Sequence, residues 1–118
     1  MPDTERAPQA AAERLCRLSQ DARAAVVLDS RGELAGASDD DSERAAALAR
    51  AARDLLDAVD GAVEEAPEQI EAHVEGGSVY VLRREGYALA AVARRAALPS
   101  LMFYDARAVL DGFEAEGR

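Results

Sequence analysis

The chain has 118 residues, enough for one domain with a modest hydrophobic core and too few for two. Hydrophobic residues make up 49% of the sequence but aromatic residues only 4%, so small side chains must build much of the core. The formal net charge of −9 argues against nucleic acid and anionic membranes as partners, since both attract basic surfaces.

The compartment is indicated by what the sequence lacks. It contains no apolar run of about 18 residues that would predict a membrane span, and its N-terminus has no apolar signal-peptide core. The single cysteine, Cys16, excludes an internal disulfide and indicates a reducing compartment. We therefore predict a cytoplasmic protein, with a disordered N-terminus over residues 1–7 and one domain over residues 8–115.

The first third of the chain predicts a helix followed by two strands. A helix starts at Pro8, since apolar residues then recur at helical spacing and proline suits a first turn. The Val-rich run 24–28 is typical of a strand buried on both faces. Residues 29–32 have turn chemistry, and residues 33–38, which contain Gly36, predict a short strand at a sheet edge.

Residues 40–65 predict one long amphipathic helix with an unusually wide apolar face. Its acidic start suits the positive end of a helix, and Asp40 and Glu43 have capping-box spacing. Apolar residues cover roughly 200° of its circumference, about twice the stripe of a helix that lies on one core. We interpret this face as covered twice, by the chain's own sheet and by a partner. The alternative is that its alanines serve helix propensity alone.

The second half predicts three strands and a final helix. Residues 69–75 alternate apolar and polar side chains, which marks a strand with one covered face. Residues 78–84 and 87–93 follow across glycine turns, and the second of these is apolar almost throughout, as in a strand covered on both faces. Residues 101–113 predict a helix with one apolar face, formed by Met102, Ala106, Val109, Leu110 and Phe113.

These elements predict an α+β fold. The doubly buried strands belong in the middle of the sheet, and the strands 33–38 and 69–75 belong at its edges. Hairpins join neighbours, which gives a five-stranded antiparallel sheet in the order 2-1-5-4-3. The long helix would cross one face, and the other two helices would cover the opposite face, as a three-layer α/β/α sandwich.

Three segments together resemble the Roadblock family of dynein light chains and bacterial small-GTPase regulators. They are AAVVLDSRGELAGAS (24–38), the helix 43–63 and GSVYVLRREGYALAAVARRAALPSLMFYDARAVL (77–110). The resemblance implies a homodimer, in which the long helices of two subunits pack together and their third strands pair across the dyad. The residues expected at this interface are Leu48, Ala52, Leu56 and Val59 on the helix, with Ile70, Ala72 and Val74 on the strand.

The resemblance also implies a partner. Bacterial relatives bind small Ras-like GTPases, and some accelerate GTP hydrolysis by positioning the GTPase's own groups. No family-wide catalytic residue exists to carry over, so we expect a non-enzymatic regulator without a cofactor. The partner-binding candidates lie on the polar strip of the long helix: Arg50, Arg53, Asp57 and Asp60.

Two other functions are compatible with the sequence. A small-ligand sensor similar to PAS or GAF modules would need a pocket lined by larger side chains than this aromatic-poor chain offers. A purely structural assembly protein would suit dimerisation alone.

Other motifs carry little weight. There is no phosphate-binding loop, and an EF-hand loop starting at Asp39 would need glycine at Arg44 and glutamate at Arg50. The lone His73 is expected at the surface, with a pH-sensitive dimer as a minor alternative. The pairs 83–84 and 94–95 are expected as solvated strand ends far apart, with an arginine finger as a remote alternative.

Overall fold

A computed structural model describes residues 7–84 and 86–116, with side chains as far as Gly112. Within this range the helices and strands follow in the predicted order. In chain order they are α1 (Ala7–Leu18), β1 (Ala22–Leu28), β2 (Leu34–Ala37), α2 (Ser42–Ala62), β3 (Gln69–Val74), β4 (Gly77–Arg84), β5 (Tyr87–Ala93) and α3 (Pro99–Glu116).

The five strands form one antiparallel sheet in the order β2-β1-β5-β4-β3, which confirms the predicted topology. The central strand β5 pairs with β1 through Val26 and Ala90 and with β4 through Val81 and Ala90. Helix α2 packs on one face of the sheet, and α1 and α3 pack side by side on the other. The predicted three-layer α+β sandwich is therefore confirmed.

Two hydrophobic cores separate these layers, and they differ in the size of their side chains. The core under α1 and α3 contains large buried residues such as Leu15, Leu82 and Leu110. Among the described residues, the core under α2 has fewer leucines and no aromatic side chain, and its buried alanines, among them Ala49 and Ala52, are at most 5% exposed. Small side chains let α2 approach the sheet closely but bury little area per residue.

Helix α2 begins one residue later than the capping-box spacing predicted. The N-cap is Asp41 and not Asp40, because the Asp41 carboxylate accepts hydrogen bonds from the backbone N–H of Glu43 at 3.0 Å and of Arg44 at 3.2 Å. The helix continues through Gly61 and ends at Ala62, short of the predicted Glu65, because the backbone turns extended at the C-cap residue Val63.

Close backbone contact joins β2 to the start of α1. A Cβ atom on Gly36 would lie 2.4 Å from the backbone nitrogen of Gln9 and 2.5 Å from the carbonyl carbon of Pro8. Glycine at this position therefore allows the helix and the strand to approach closely, in addition to marking an edge strand.

Some sequence predictions fall on parts of the chain that the structure does not describe. Residues 1–6 of the predicted disordered N-terminus, Glu85 of the predicted β4–β5 turn and the side chain of Phe113 lie outside the described residues. Among the helices of the described ranges, none combines the length and hydrophobicity needed to cross a membrane.

Candidate interaction site

The edge strand β3 presents unpaired backbone groups to its surroundings. Within residues 7–84 and 86–116 its one neighbour in the sheet is β4. The Arg83 N–H donates to the Glu68 carbonyl at 2.7 Å, and the hydrogen-bonded pairs of an antiparallel ladder alternate. The backbone N–H groups of Gln69, Glu71 and His73 therefore point toward the open edge, where a further strand can accept them.

The apolar side of β3 becomes more exposed toward its end. Ile70, Ala72 and Val74 lie on the α2 face of the sheet, opposite Val81, Val79 and Gly77 of β4. Ile70 is buried, Ala72 is half-buried and Val74 is 42% exposed. Helix α2 packs mainly on β1, β2 and β5, so it leaves this end of the sheet uncovered.

A cleft of about 440 Å³ opens at the opposite end of the strands, between the β1–β2 turn, the C-terminal half of α2 and the β4–β5 turn. We call it the turn-end cleft. It collects three of the four partner-binding candidates, and Arg50 lies outside it on the exposed surface of α2. Its charged lining residues are Asp29, Arg31, Arg53, Asp57, Asp60, Arg83 and Arg84.

Several of these charged groups hold the structure together. The Arg83 guanidinium donates two hydrogen bonds to the Asp60 carboxylate, at 2.7 and 2.9 Å, and two to the Pro67 carbonyl, at 2.8 and 3.2 Å. The hydrogen bonds between the two side chains lower the pKa of Asp60 and raise the pKa of Arg83. This contact ties the end of α2 and the connection to β3 onto β4.

Arg53 and Asp29 fix the β1–β2 turn on the other side of the cleft. Arg53 Nη1 donates to the Gly32 carbonyl at 2.9 Å. Asp29 Oδ1 accepts from the backbone N–H groups of Arg31 at 2.8 Å and Glu33 at 3.0 Å, and these bonds, that from Glu33 foremost, lower the pKa of Asp29. The charged groups that line the cleft are thus largely committed to its own walls.

The second arginine of the β4 pair is also engaged. Arg84 lies 3.5 Å from Glu68 and 3.3 Å from Asp111, whereas Arg94 lies 3.8 Å from Asp21 at the other end of the sheet. The two arginine pairs are separate, as predicted. Arg83 and Arg84 are, however, half-buried ion-pair partners rather than solvated strand ends, because α2 and α3 bring carboxylates to them.

His73 lies at the open edge of the sheet with two local contacts. Its Nδ1 is 3.0 Å from Ser78 Oγ, and its Nε2 is 3.4 Å from Glu71 Oε2. In the described part of the chain, no three His, Cys, Asp or Glu side chains are arranged to hold a metal ion. The pH-sensitive dimer stays a prediction.

A small apolar hollow of about 250 Å³ lies between the start of α2 and the sheet, next to Val26, Leu48 and Val92. Ligand pockets usually enclose about 300 to 1,000 Å³. This hollow therefore adds no support to the sensor interpretation.

Solved structures share this arrangement over nearly the whole chain. A Roadblock/LC7 domain from Streptomyces avermitilis has a TM-score of 0.79 at 17% sequence identity, covering 92% of this chain and 95% of that one. MglB from Myxococcus xanthus has a TM-score of 0.77 at 14% identity, covering 94% and 87%. This protein has the Roadblock fold.

A third solved structure, described as MglB with a tetrameric arrangement, has a TM-score of 0.67 to this chain at 17% identity, covering 96% of this chain and 88% of that one. No protein-family model matches the sequence, and no curated protein matches it. The likeness to these solved structures is therefore one of fold, at 14 to 17% sequence identity.

The Roadblock fold distributes the seven predicted interface residues over two environments. Leu48, Ala52 and Ile70 are at most 8% exposed, because they pack in the core between α2 and the chain's own sheet. Leu56, Val59 and Ala72 are half-buried, and Val74 is exposed. Only these four are accessible to a second subunit in the single chain.

The outward surface of α2 is built from smaller side chains than the sequence pattern predicts. The exposed apolar residues on this helix are all alanines: Ala46, Ala47, Ala51, Ala58 and Ala62. The wide apolar arc exists, but its leucines turn toward the sheet, because larger side chains gain more from burial. The outer part allows close helix–helix approach without large hydrophobic contacts.

Proposed function

We propose that this protein is a non-enzymatic, cytoplasmic homodimer that regulates or scaffolds a small Ras-like GTPase. The observation that carries the proposal is the open β3 edge. Ala72 and Val74 are accessible there, on the part of the α2 face that the helix does not cover. An unpaired edge of this kind is a pairing hazard unless it is used. The Roadblock fold supports the same assignment, since the family resemblance implies strand pairing across a dyad.

In the proposed dimer, β3 strands of two copies pair edge to edge. The outward N–H groups of Gln69, Glu71 and His73 would find acceptors on the second copy, and Val74 would lose its contact with water. The half-buried Leu56 and Val59 and the alanines of α2 would meet their counterparts on the same face of the extended sheet. Main-chain hydrogen bonds supply affinity in this mode, and the side chains supply register.

The GTPase is proposed to contact the polar surface of α2 near the turn-end cleft. Arg53 and Asp60 hold parts of this chain together, so they shape the surface. Arg50 and Asp57 are exposed on α2, and in the described part of the chain neither side chain takes part in a hydrogen bond or an ion pair. They are therefore the predicted residues that a partner would contact directly.

The dimer is tested by sedimentation velocity on variants of the two sheet edges. Val74→Asp places a charge on the exposed apolar end of β3 and should give a monomer. Leu34→Asp is the matched control, because Leu34 is 40% exposed on β2, the opposite edge of the same sheet. If the Val74→Asp variant dimerises as well as the Leu34→Asp variant does, the β3 interface is refuted.

A backbone variant tests strand pairing itself. Glu71→Pro removes one outward N–H without touching the ladder to β4, and proline is tolerated on an edge strand when its nitrogen faces outward. The control Glu71→Ala removes the same carboxylate and keeps the N–H. We expect Glu71→Pro alone to lose the dimer. Equal masses for both variants would show that the edge does not pair.

The partner is tested by biolayer interferometry with purified small Ras-like GTPases of the host, loaded with GDP or with a non-hydrolysable GTP analogue. We expect binding that depends on the bound nucleotide and that Arg50→Ala and Asp57→Ala weaken at unchanged dimer mass. Absence of binding in both nucleotide states would remove the GTPase from the proposal and leave the structural-assembly alternative.

A further inference from the structure

A second apolar surface lies on the layer opposite α2, and the proposed β3 dimer does not use it. Four large apolar side chains around the start of α3 are exposed: Leu18 at 48%, Leu98 at 59%, Leu101 at 56% and Tyr104 at 68%. We call them the α3 patch. They are the majority of the exposed large hydrophobic residues in the described chain, which also include Leu34, Val63 and Val74.

The four residues share one side of the α1–α3 pair. Leu101 and Tyr104 lie three residues apart on α3, on the side away from the buried Met102 and Ala106, and Leu98 directly precedes the helix. The two helices run antiparallel, because Arg14 Nη1 lies over Gly112 and Ser19 Oγ lies 3.2 Å from Met102 Sδ. Leu18, one turn after Arg14, therefore faces the start of α3.

The size of the α3 patch places it at the threshold of a self-association surface. A large apolar side chain offers roughly 200 Å², so these exposed fractions leave on the order of 450 Å² open. Patches of about 300 to 600 Å² are the largest on typical monomers and are often functional. Two such patches bury on the order of 900 Å², just under the roughly 1,000 Å² that marks a specific interface.

The charge distribution favours a second copy of this chain as the occupant. Residues 39–75 contain 12 acidic residues and three arginines, so this segment, which includes α2 and β3, carries the whole net charge of −9. Association through α2 or β3 therefore opposes like charges. The stretch 96–104 at the α3 patch contains no charged residue, so two copies can approach there without that repulsion.

The charges that flank the patch are complementary about its centre. Arg94 and Arg95 precede the uncharged stretch, and Asp105 follows it directly. Both arginines are exposed, and each side chain makes a long contact, Arg94 with Asp21 at 3.8 Å and Arg95 Nη2 with the Val74 carbonyl at 3.5 Å. A two-fold axis near residue 100 would place Arg95, in the connection before α3 of one copy, beside Asp105 on α3 of the other, because a two-fold contact pairs residues before the axis with residues after it. Oppositely charged groups then meet at both ends of the contact.

We propose that the α3 patch is a second, weaker homotypic interface, through which two copies pack the starts of their α3 helices antiparallel, with Leu101 close to the axis and Tyr104 beside it. The four patch side chains lie off the β3 edge, although the flanking Arg95 reaches the Val74 carbonyl there at 3.5 Å, so a protein that used both surfaces would form species larger than a dimer. Because the area of this interface is modest, association through it depends on protein concentration. A first interface that already holds two patches close together would raise their effective concentration and strengthen the contact.

The test isolates the patch by sedimentation velocity in the Glu71→Pro background, over about 10 μM to about 1 mM protein. We expect weak dimers there, and at least about tenfold weaker association when Leu101→Ser and Tyr104→Ser are added. Leu34→Ser is the control for removing an exposed leucine elsewhere. Thermal melting checks that the variants stay folded. We expect that they do, because both replaced side chains are mostly exposed to water.

A charge exchange tests the geometry. In the same Glu71→Pro background, Arg95→Asp and Asp105→Arg should each weaken the association, and the double variant should restore it, which loss of structure cannot do. A strictly monomeric Glu71→Pro protein, or patch substitutions that leave its mass unchanged, would overturn the proposal. Patch substitutions that abolish the wild-type dimer itself would also overturn it, by showing one interface instead of two. Failure of Glu71→Pro to change the wild-type mass would count against the β3 edge alone.

Discussion

Glycine 36 offers a test of how closely helix α1 approaches strand β2. A Cβ atom at this position would lie 2.4 Å from the Gln9 nitrogen, and an ordinary contact needs 3.4 Å or more. The neighbouring atoms are backbone, so they cannot rotate away, and Gly36→Ala must push the first turn of α1 outward by about 1 Å. The buried Ala12 and Leu15 on α1 would then lose part of their packing.

Overpacking of this kind costs about 1 to 3 kcal/mol. At roughly 4 °C per kcal/mol for a domain of this size, the melting temperature should fall by about 4 to 12 °C. Gly61 provides the matched control, because it lies inside α2 with no atom within 4 Å of an added Cβ. Gly61→Ala should stabilise the protein by up to about 1 kcal/mol through helix propensity.

The assays are thermal unfolding and urea unfolding, both followed by circular dichroism. All variants are measured at one protein concentration, because self-association makes apparent stability depend on concentration. We expect the two variants to shift the midpoint in opposite directions. If Gly36→Ala is as stable as the wild type, the close approach of α1 and β2 is wrong. If both variants lose stability equally, the cause lies in glycine's backbone freedom and not in the space around it.

Three further predictions concern charge and burial. The pKa values of Asp29 and Asp60 lie below their ordinary value, so the stability that these groups contribute is present above about pH 4 and is lost as the pH falls through their folded-state pKa. Asp29→Asn and Asp60→Asn should therefore make the urea midpoint fall less steeply as the pH is lowered below about 4. Association through β3 should strengthen when NaCl is raised from about 50 mM to about 500 mM, since salt screens the repulsion between two acidic 39–75 segments, as sedimentation would show. Burial raises the pKa of Tyr80, so stability should fall as the pH rises above about 10, and Tyr80→Phe should reduce that loss.

The sheet order could be predicted because two local patterns act together. The apolar runs 24–28 and 87–93 required cover on both faces, and the alternating strand 69–75 required cover on one. Once hairpins join neighbours, these burial demands leave one consistent order, which the structure has. The ends of the helices and strands were predicted less accurately. The N-cap is Asp41 and not Asp40, because adjacent aspartates all offer the same capping chemistry.

The interaction surfaces could be predicted only in part. The strand residue Val74 and the candidates Arg53, Asp57 and Asp60 lie on accessible surfaces or in the turn-end cleft. Leu48, by contrast, belongs to the chain's own core. A helical wheel gives angles but not the direction of the sheet, so it cannot separate the buried half of a wide apolar arc from the open half.

The sequence by itself determined the elements, their order in the sheet and the concentration of negative charge between residues 39 and 75, because periodicity, turn chemistry and composition are local properties of the chain. Only the tertiary structure decided which apolar residues remain in contact with water and that Arg83 holds Asp60, 23 residues away. Those outcomes depend on where α2 and α3 come to rest against the sheet. That position is set by the packing of all three layers at once, and no single segment encodes it.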